Sequence, residues 1–423
     1  MEKISLRDIT LAVGCGEYNT DCIIEKISTD SRDITPGCLF IALEGDRFDG
    51  HDYVAEVLGR GAVCVIVQKD NQDWPRDKIL RVENTRRAYL EIAALYRRQR
   101  DVKIAAVTGS VGKTTTKEMI ACAVSAQYPT HKTQENLNNE IGVSQTILGI
   151  TDEHRAAVLE LGMDGPGQIE PLSRAAAPDI AVITNIGIAH IEAFANGRKG
   201  ILHEKMSIAA GVPENGTLIL NADNDLLWEW IRRRNSEETH GQGRNLITYG
   251  IENRDAQVYA EAVRSFSTHT TFEIRYNGRR YDAQIPTMGT HNVYNALAAF
   301  CVCLALEGEP HRAIAALRDY KPAGMRQKIV THCGFTVVED CYNASPDSMS
   351  AALQTLGGLS TGGKRIMVMA DMLELGEMAV QAHREVGTLA AKSCIDMLLC
   401  TGALGAHIHA AAVEGGMEHA YYF

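Results

Sequence analysis

Short apolar runs recur along the chain, and the stretches between them space their apolar residues as a helix does. The runs are Cys38 to Leu43, Ala62 to Val67, Ile104 to Val107, Ala156 to Leu161, Ile180 to Thr184, Ile366 to Met369 and Met397 to Cys400. Dense in Val, Ile, Leu and Ala, they read as strands buried on both faces. Helix-like segments, such as Thr85 to Arg100, separate them. The alternation predicts βαβ units, and so an α/β protein built on mostly parallel sheets. Asp255 to Pro286 departs from this pattern: rich in Thr, Tyr and Arg, with apolar residues alternating, it predicts antiparallel strands. No fixed-period repeat or low-complexity tract interrupts the chain.

At roughly 150 residues per domain, a chain of 423 residues predicts two to four domains. Three blocks are expected: 1–83, 84–321 and 322–423. The first closes after strand-like Ile79 to Val82. The last opens at Lys321-Pro322 with Gly324 following, which reads as a hinge. A net charge of −11 argues against a nucleic-acid partner held on a basic surface. Eleven cysteines occur without a Cys-x-x-Cys pair, which suits reduced thiols in a cytoplasmic protein. Met1 to Gly14 lacks a signal-peptide core, and Val293 to Leu306 is too short to span a bilayer.

The most informative chemistry lies after the third run. Ile104 to Val107 feeds the glycine turn Gly109-Ser110-Val111-Gly112, and Lys113, Thr114 and Thr115 open a helical segment. Strand, glycine turn, Lys and hydroxyls make a phosphate-binding loop: backbone N–H groups cradle phosphates, Lys reaches their oxygens and a hydroxyl holds Mg²⁺. The usual pattern has a glycine six positions before the lysine; here that position is Val107, so the loop is a shortened variant. A glycine turn with a solvated lysine is the plainer alternative.

Such a loop needs a carboxylate at a neighbouring strand end to hold Mg²⁺. Glu160, at the end of its apolar run, is the candidate, the alternative being a solvated strand-end glutamate. His190 lies just beyond the run ending at Thr184, as a ligand or as polar surface. Lys205 is expected to begin a helix. Asn292 and Asn295 lie three apart at the start of an apolar helix, where their amides suit a base edge or Asn292 serves as the N-cap. Ser31, Arg32 and Arg47 sit in loops flanking Cys38 to Leu43, fit for a phosphorylated ligand or for ordinary turns. Arg326, just past the hinge, and the loop Asp340 to Ser348 after strand-like Thr336 to Val338 complete the polar sites.

Together these segments resemble the Mur ligase family of cell-wall synthesis. The resemblance rests on Thr108 to Thr115, Glu135-Asn-Leu-Asn-Asn-Glu-Ile-Gly142, Glu160-Leu-Gly-Met163, Asn185 to His190, Gly289-Thr-His-Asn292, Asp340-Cys-Tyr-Asn343 and Asp371-Met-Leu-Glu-Leu-Gly376, in family order. It implies three domains: an N-terminal α/β UDP-binding domain, a central ATP-binding domain and a C-terminal Rossmann-like domain. It also implies ATP-driven joining of D-alanyl-D-alanine to UDP-N-acetylmuramoyl-tripeptide through an acyl phosphate, by a monomer. The alternatives are the family's preceding step, which adds the third amino acid, and a non-catalytic nucleotide-binding paralogue.

Roles follow from the same resemblance. The loop Gly109 to Thr115 would bind ATP, with Lys113 on its phosphates. Thr114, Glu160 and His190 would hold Mg²⁺, with Lys205 joining them as a carbamate. Asn292 and Asn295 would meet adenine, and Arg326 and Asp340 would reach phosphate and ribose. Asn138 would lie at the reacting centre, flanked by Asn136 and Asn139. Ser31, Arg32 and Arg47 would hold the UDP end, and Tyr342, Asn343 and Ser345 the dipeptide. Two departures are noted. The chain stops at Phe423, in what reads as a strand, where family members continue, so a shortened third domain is expected. Ala370 stands where the family usually has glycine.

Overall fold

A computed structural model describes residues 1–15, 22–236, 243–322, 324–359 and 361–423. Three main sheets follow one another along the chain. The first is a parallel sheet of Ile27–Ser28, Leu39–Ile41, Cys64–Val67 and Ile79–Arg81, in that order. The third is a parallel sheet of Ile366–Met369, Met397–Cys400 and Ala420–Tyr422. Between them lies a nine-stranded sheet.

The large sheet runs across space from Thr130–Lys132 through Ala156–Glu160, Lys103–Thr108, Ile180–Ile183, Thr217–Asn221, Asn245–Gly250 and Val258–Ser265, all parallel. Thr270–Tyr276 and Arg279–Ile285 then add in antiparallel hairpins, within the Asp255 to Pro286 stretch whose alternation predicts them. Lys103–Thr108 shows why the apolar runs form central strands. Ile104 and Ala106 enter the core beneath the helices Thr85–Arg98 and Glu140–Leu148. Ala105 and Val107 enter the core beneath Lys113–Ser125 and Thr290–Ala305. With both faces covered, every position but the first is buried, and each buried Ile or Val contributes roughly 1.5–3 kcal/mol.

The first core also takes in Leu39, Ile41 and Ile66, so the N-terminal sheet packs onto the same apolar layer as the large one. The third sheet has a core of its own around Met369, Leu398 and Ile408. Thr336 to Val338 falls in a strand, but not a parallel one: Phe335–Glu339 forms an antiparallel hairpin with Lys328–His332. Its exposed Phe335 and Val337 leave it outside any core. Lys205 is a second correction. It lies near the end of helix Arg198–Met206 rather than at its start, because Gly197, at φ 55°, lets the helix begin seven residues earlier than the lysine.

Candidate active site

Register places the carboxyl ends of three strands side by side. Glu160 pairs with Val107, and Thr108 pairs with Ile183. The turn Gly109 to Gly112 leaves this edge and leads into helix Lys113–Ser125. It is pinned from the neighbouring strand end. Ser110 N–H donates to the Asn185 carbonyl at 3.1 Å, Val111 N–H to Asn185 Oδ1 at 3.1 Å, and Thr184 Oγ1 to the Val111 carbonyl at 2.7 Å. Gly112, at φ 81°, precedes the helix without a capping side chain. The first-turn N–H groups are thus left for a ligand in the cleft, where a helix N-terminus favours an anion.

The cleft is about 550 Å³ and is lined by the phosphate loop, the ends of the large sheet, the helix Thr85–Arg98 and the C-terminal region. The loop contributes Ser110 to Thr114, and the large sheet adds Asn136, Asn138, Asn139, Glu160 and His190. Arg326, Asp340, Tyr342, Asn343 and Ser345 come from the C-terminal region, and Arg86 from the helix that follows the first sheet. Lys113 Nζ folds back on its own loop, donating to the Gly109 carbonyl at 2.8 Å. Burial pulls its pKa below the ordinary lysine value, nearby Glu160 opposing and Arg326 reinforcing the shift.

Glu160 is buried, with Oε1 accepting from Asn138 Nδ2 at 2.8 Å and Oε2 without a partner. A lone carboxylate oxygen in the cleft that Thr114 and the phosphate cradle also line fits Mg²⁺, which takes one or two carboxylates and completes its shell with phosphates and water. Among the described residues no group of three His, Cys, Asp or Glu is preassembled, so phosphate oxygens would have to share the coordination. His190, at φ 61°, holds Nδ1 2.5 Å from Glu374 Oε2. Burial lowers its pKa, with Glu374 opposing and both Lys113 and Lys205 adding to the shift. Glu374 also sits at a positive φ, 61°, so both sides of this contact between the sheets are conformationally strained. Lys205 is buried, its Nζ hydrogen-bonded to none of the described residues. Burial and then Lys113 drive its pKa well down, against the opposing pull of Glu204.

Other expected residues are placed differently. Asn292 and Asn295 do share a helical face, but they are buried and do not line the cleft. Asn295 Nδ2 donates to Asn292 Oδ1 at 3.1 Å, and Thr116 Oγ1 donates to Asn295 Oδ1 at 2.9 Å. Asn292 does not cap its helix, because Gly289 occupies the N-cap position. Ser345 and Asn139 do cap, accepting from the N–H groups of Ser348 and Gly142. Ser31, Arg32 and Arg47 lie away from the cleft in loops beside Leu39–Ile41. There Arg32 is paired with Asp30 at 2.7 Å. Arg326 stacks 4.3 Å over the Tyr342 ring. Asp340 has its pKa raised by desolvation, against the pull of Arg326.

Sequence reasoning missed Arg86, Glu374 and Gln327. Arg86 belongs to a helix whose pattern signals only packing; it reaches the cleft wall while donating to the Glu44 carbonyl at 2.9 Å. Glu374 lies within a motif that was singled out, but its partner His190 is remote in sequence.

Phosphate loop, orphaned carboxylate and converging cations mark the class of nucleoside-triphosphate-dependent α/β proteins. Family models described as Mur ligase family, catalytic domain, Mur ligase middle domain and Mur ligase, glutamate ligase domain match residues 23–100, 107–303 and 325–423. The UDP-N-acetylmuramoyl-tripeptide--D-alanyl-D-alanine ligase of Bacillus subtilis is 36% identical over 94% of this chain and 83% of its own length. A crystal structure of MurF from Acinetobacter baumannii superposes with a TM-score of 0.88 at 31% identity, covering 100% of this chain and 90% of that one. The MurF ligase of Thermotoga maritima in complex with ADP gives 0.81 at 26% identity, over 94% and 93%. The chain belongs to the Mur ligase family.

Proposed function

We propose that the protein joins D-alanyl-D-alanine to UDP-N-acetylmuramoyl-tripeptide with ATP, forming an amide bond in peptidoglycan precursor synthesis. The observation that carries this reading is a single cleft that collects Lys113 and Arg86 from the central block and Arg326 from the C-terminal one around Glu160. The names of the near full-length relatives support the choice of substrates. A cytoplasmic, monomeric enzyme suits these nucleotide-linked substrates, and among the described residues no helix is long and apolar enough to cross a membrane.

The residues suggest how the reaction proceeds. A peptide carboxylate and a triphosphate repel each other, so they must be held together by positive charge. Lys113 and the uncapped helix start would bind the phosphates, with Arg326 approaching from the far wall. Glu160, Thr114 and His190 would hold Mg²⁺, which when bound supplies further neutralisation of the phosphates. The carboxylate oxygen takes the γ-phosphoryl group and ADP leaves. The dipeptide amine then attacks the acyl carbon, and phosphate leaves. Asn138, tied to Glu160, would position the reacting centre beside Asn136 and Asn139. Tyr342, Asn343 and Ser345 would face the dipeptide. Ser31, Arg32 and Arg47 would hold the UDP end, and Asn292 and Asn295 the adenine. Separate units closing on one cleft would keep water from the acyl phosphate.

Phosphate release from ATP is expected to require both the UDP-linked tripeptide and D-alanyl-D-alanine. Release that ignores the dipeptide overturns the assignment, and turnover with a single third amino acid on the UDP-dipeptide would favour the preceding family step.

Lys205 is proposed to carry a carbamate. Only a neutral amine attacks carbon dioxide, and burial beside Lys113 favours the neutral form. Carbon-13-labelled bicarbonate should then give a carbamate signal that is lost in Lys205→Met, with turnover falling about 10²-fold, the loss typical of a positioned charged group. A labelled spectrum of active enzyme without that signal rejects the modification.

A further inference from the structure

A chain of side-chain hydrogen bonds runs from the phosphate-loop helix to the connector that leads into the C-terminal region, and it ends on Gln327. Thr116 Oγ1 donates to Asn295, Asn295 donates to Asn292, and Asn292 Nδ2 donates to Gln327 Oε1 at 2.7 Å. Gln327 Nε2 lies 2.9 Å from His291 Nε2. An amide nitrogen only donates, so His291 Nε2 accepts and the ring is neutral with its proton on Nδ1. Burial, which pushes the His291 pKa down to about 4, keeps it so.

Donor accounting at Asn292 makes this chain more than packing. Its amide nitrogen has two hydrogens and three acceptors in reach, Gln327 Oε1 at 2.7 Å, the Met288 carbonyl at 2.8 Å and, more distant, His291 Nε2 at 3.2 Å, so neither hydrogen is spare. A base edge seeking a donor from Asn292 must therefore displace one of these acceptors, and His291 Nε2 is already taken up by Gln327 Nε2. The Met288 carbonyl belongs to the same local backbone, whereas Gln327 arrives from 35 residues along the chain. Gln327 is also an unusual residue in its own right: it is buried and non-glycine, yet has φ 55°, and it follows Arg326 directly. Its backbone N–H meets the Asp340 carboxylate. Any movement of Gln327 thus carries with it two charged groups of the cleft wall.

We propose that Gln327 is a positioning residue, a latch that occupies the Asn292 donor when no nucleotide is bound and is displaced by the adenine edge, so that nucleotide binding frees the Arg326–Asp340 wall to move. This rests on the reading that Asn292 and Asn295 face the adenine. A gap-filling glutamine with no such role would lose both affinity and rate on removal; a latch competes with nucleotide and, by returning to Asn292, helps expel ADP, so its loss tightens ADP binding and slows turnover.

The test uses the full chain with Gln327→Gly, which accepts the positive φ, and Gln327→Met, which keeps the side-chain bulk without the amide. ADP affinity with Mg²⁺ is measured by calorimetry, and kcat by phosphate release at saturating substrates. Both variants are expected to bind ADP about fivefold more tightly while kcat, limited by ADP release, falls by up to about fivefold. ADP binding that is unchanged or weaker in a variant that melts like the parent, or an unchanged kcat, overturns the latch. A parent enzyme that binds no ADP would instead remove the functional reading on which the latch depends.

Discussion

Lys113→Ala should lower kcat by about 10³-fold while leaving the melting temperature at or above that of the parent. The rate loss follows from position. Lys113 begins the helix whose uncapped start lines the cleft, and its Nζ lies within the loop, 2.8 Å from the Gly109 carbonyl. Losing one preorganised donor to a charged transition state typically costs 10²–10³-fold, and here a full positive charge goes as well. The stability half follows from the direction of the pKa shift. A lysine whose pKa is lowered by burial has its cation disfavoured by folding. The unfolded chain binds that proton more readily, so the charge lends no net stability at neutral pH. Phosphate-release kinetics beside a thermal melt check both halves. A rate within tenfold of the parent removes Lys113 from the chemistry, and a large drop in melting temperature would make the lysine structural.

Gly109→Ala should destabilise the protein by about 3 kcal/mol and weaken ADP binding more than tenfold. Gly109 sits at φ 156°, and a Cβ there would lie 1.8 Å from Thr184 Oγ1, the same hydroxyl that holds the Val111 carbonyl. The clash cannot be relieved without losing that hydrogen bond, so the turn must shift away from its neighbouring strand. Thr184→Ala removes the offending oxygen and leaves the next nearest atom, Thr184 Cβ, at 3.0 Å. The double variant should therefore recover part of the stability lost in Gly109→Ala, a coupling that a double-mutant cycle in denaturant measures. Purely additive losses would show that the backbone angle, not Thr184, requires glycine.

The shortened spacing of the phosphate loop connects these predictions. Val107, where a longer loop has glycine, is fully buried in the core below the turn, its side chain packed beneath Lys113–Ser125. The tight approach to Thr184 falls instead to Gly109, and the positive φ before the helix to Gly112. Strand continuity up to Thr108 thus costs the loop nothing, because its backbone is held by Asn185 and Thr184 from the adjacent strand end.

Several elements could be read before any coordinates. Apolar runs buried on both faces can satisfy their backbone only in a covered parallel sheet, so Lys103–Thr108, Ala156–Glu160 and Ile180–Ile183 were legible from composition and length. Glu160 was legible because a charge closing such a run must lie at a strand end. The loop itself was legible because glycine, lysine and hydroxyls at that spacing serve one chemistry.

Long-range pairing was not legible. The spacing of Asn292 and Asn295 predicts amides open to a base edge, or an N-cap at Asn292, yet Thr116 and Gln327, distant in sequence, use their hydrogen-bonding capacity. Arg86 carries no local signal, and it reaches the cleft only because its helix packs beneath the large sheet. The hairpin Phe335–Glu339 has the apolar content of a core strand, but no layer covers it. Local sequence, through periodicity and turn chemistry, determined the elements, the phosphate loop and the acid that serves it. Tertiary structure decided which polar groups remain free for a ligand, because a side chain's availability depends on every partner the fold brings within hydrogen-bonding reach.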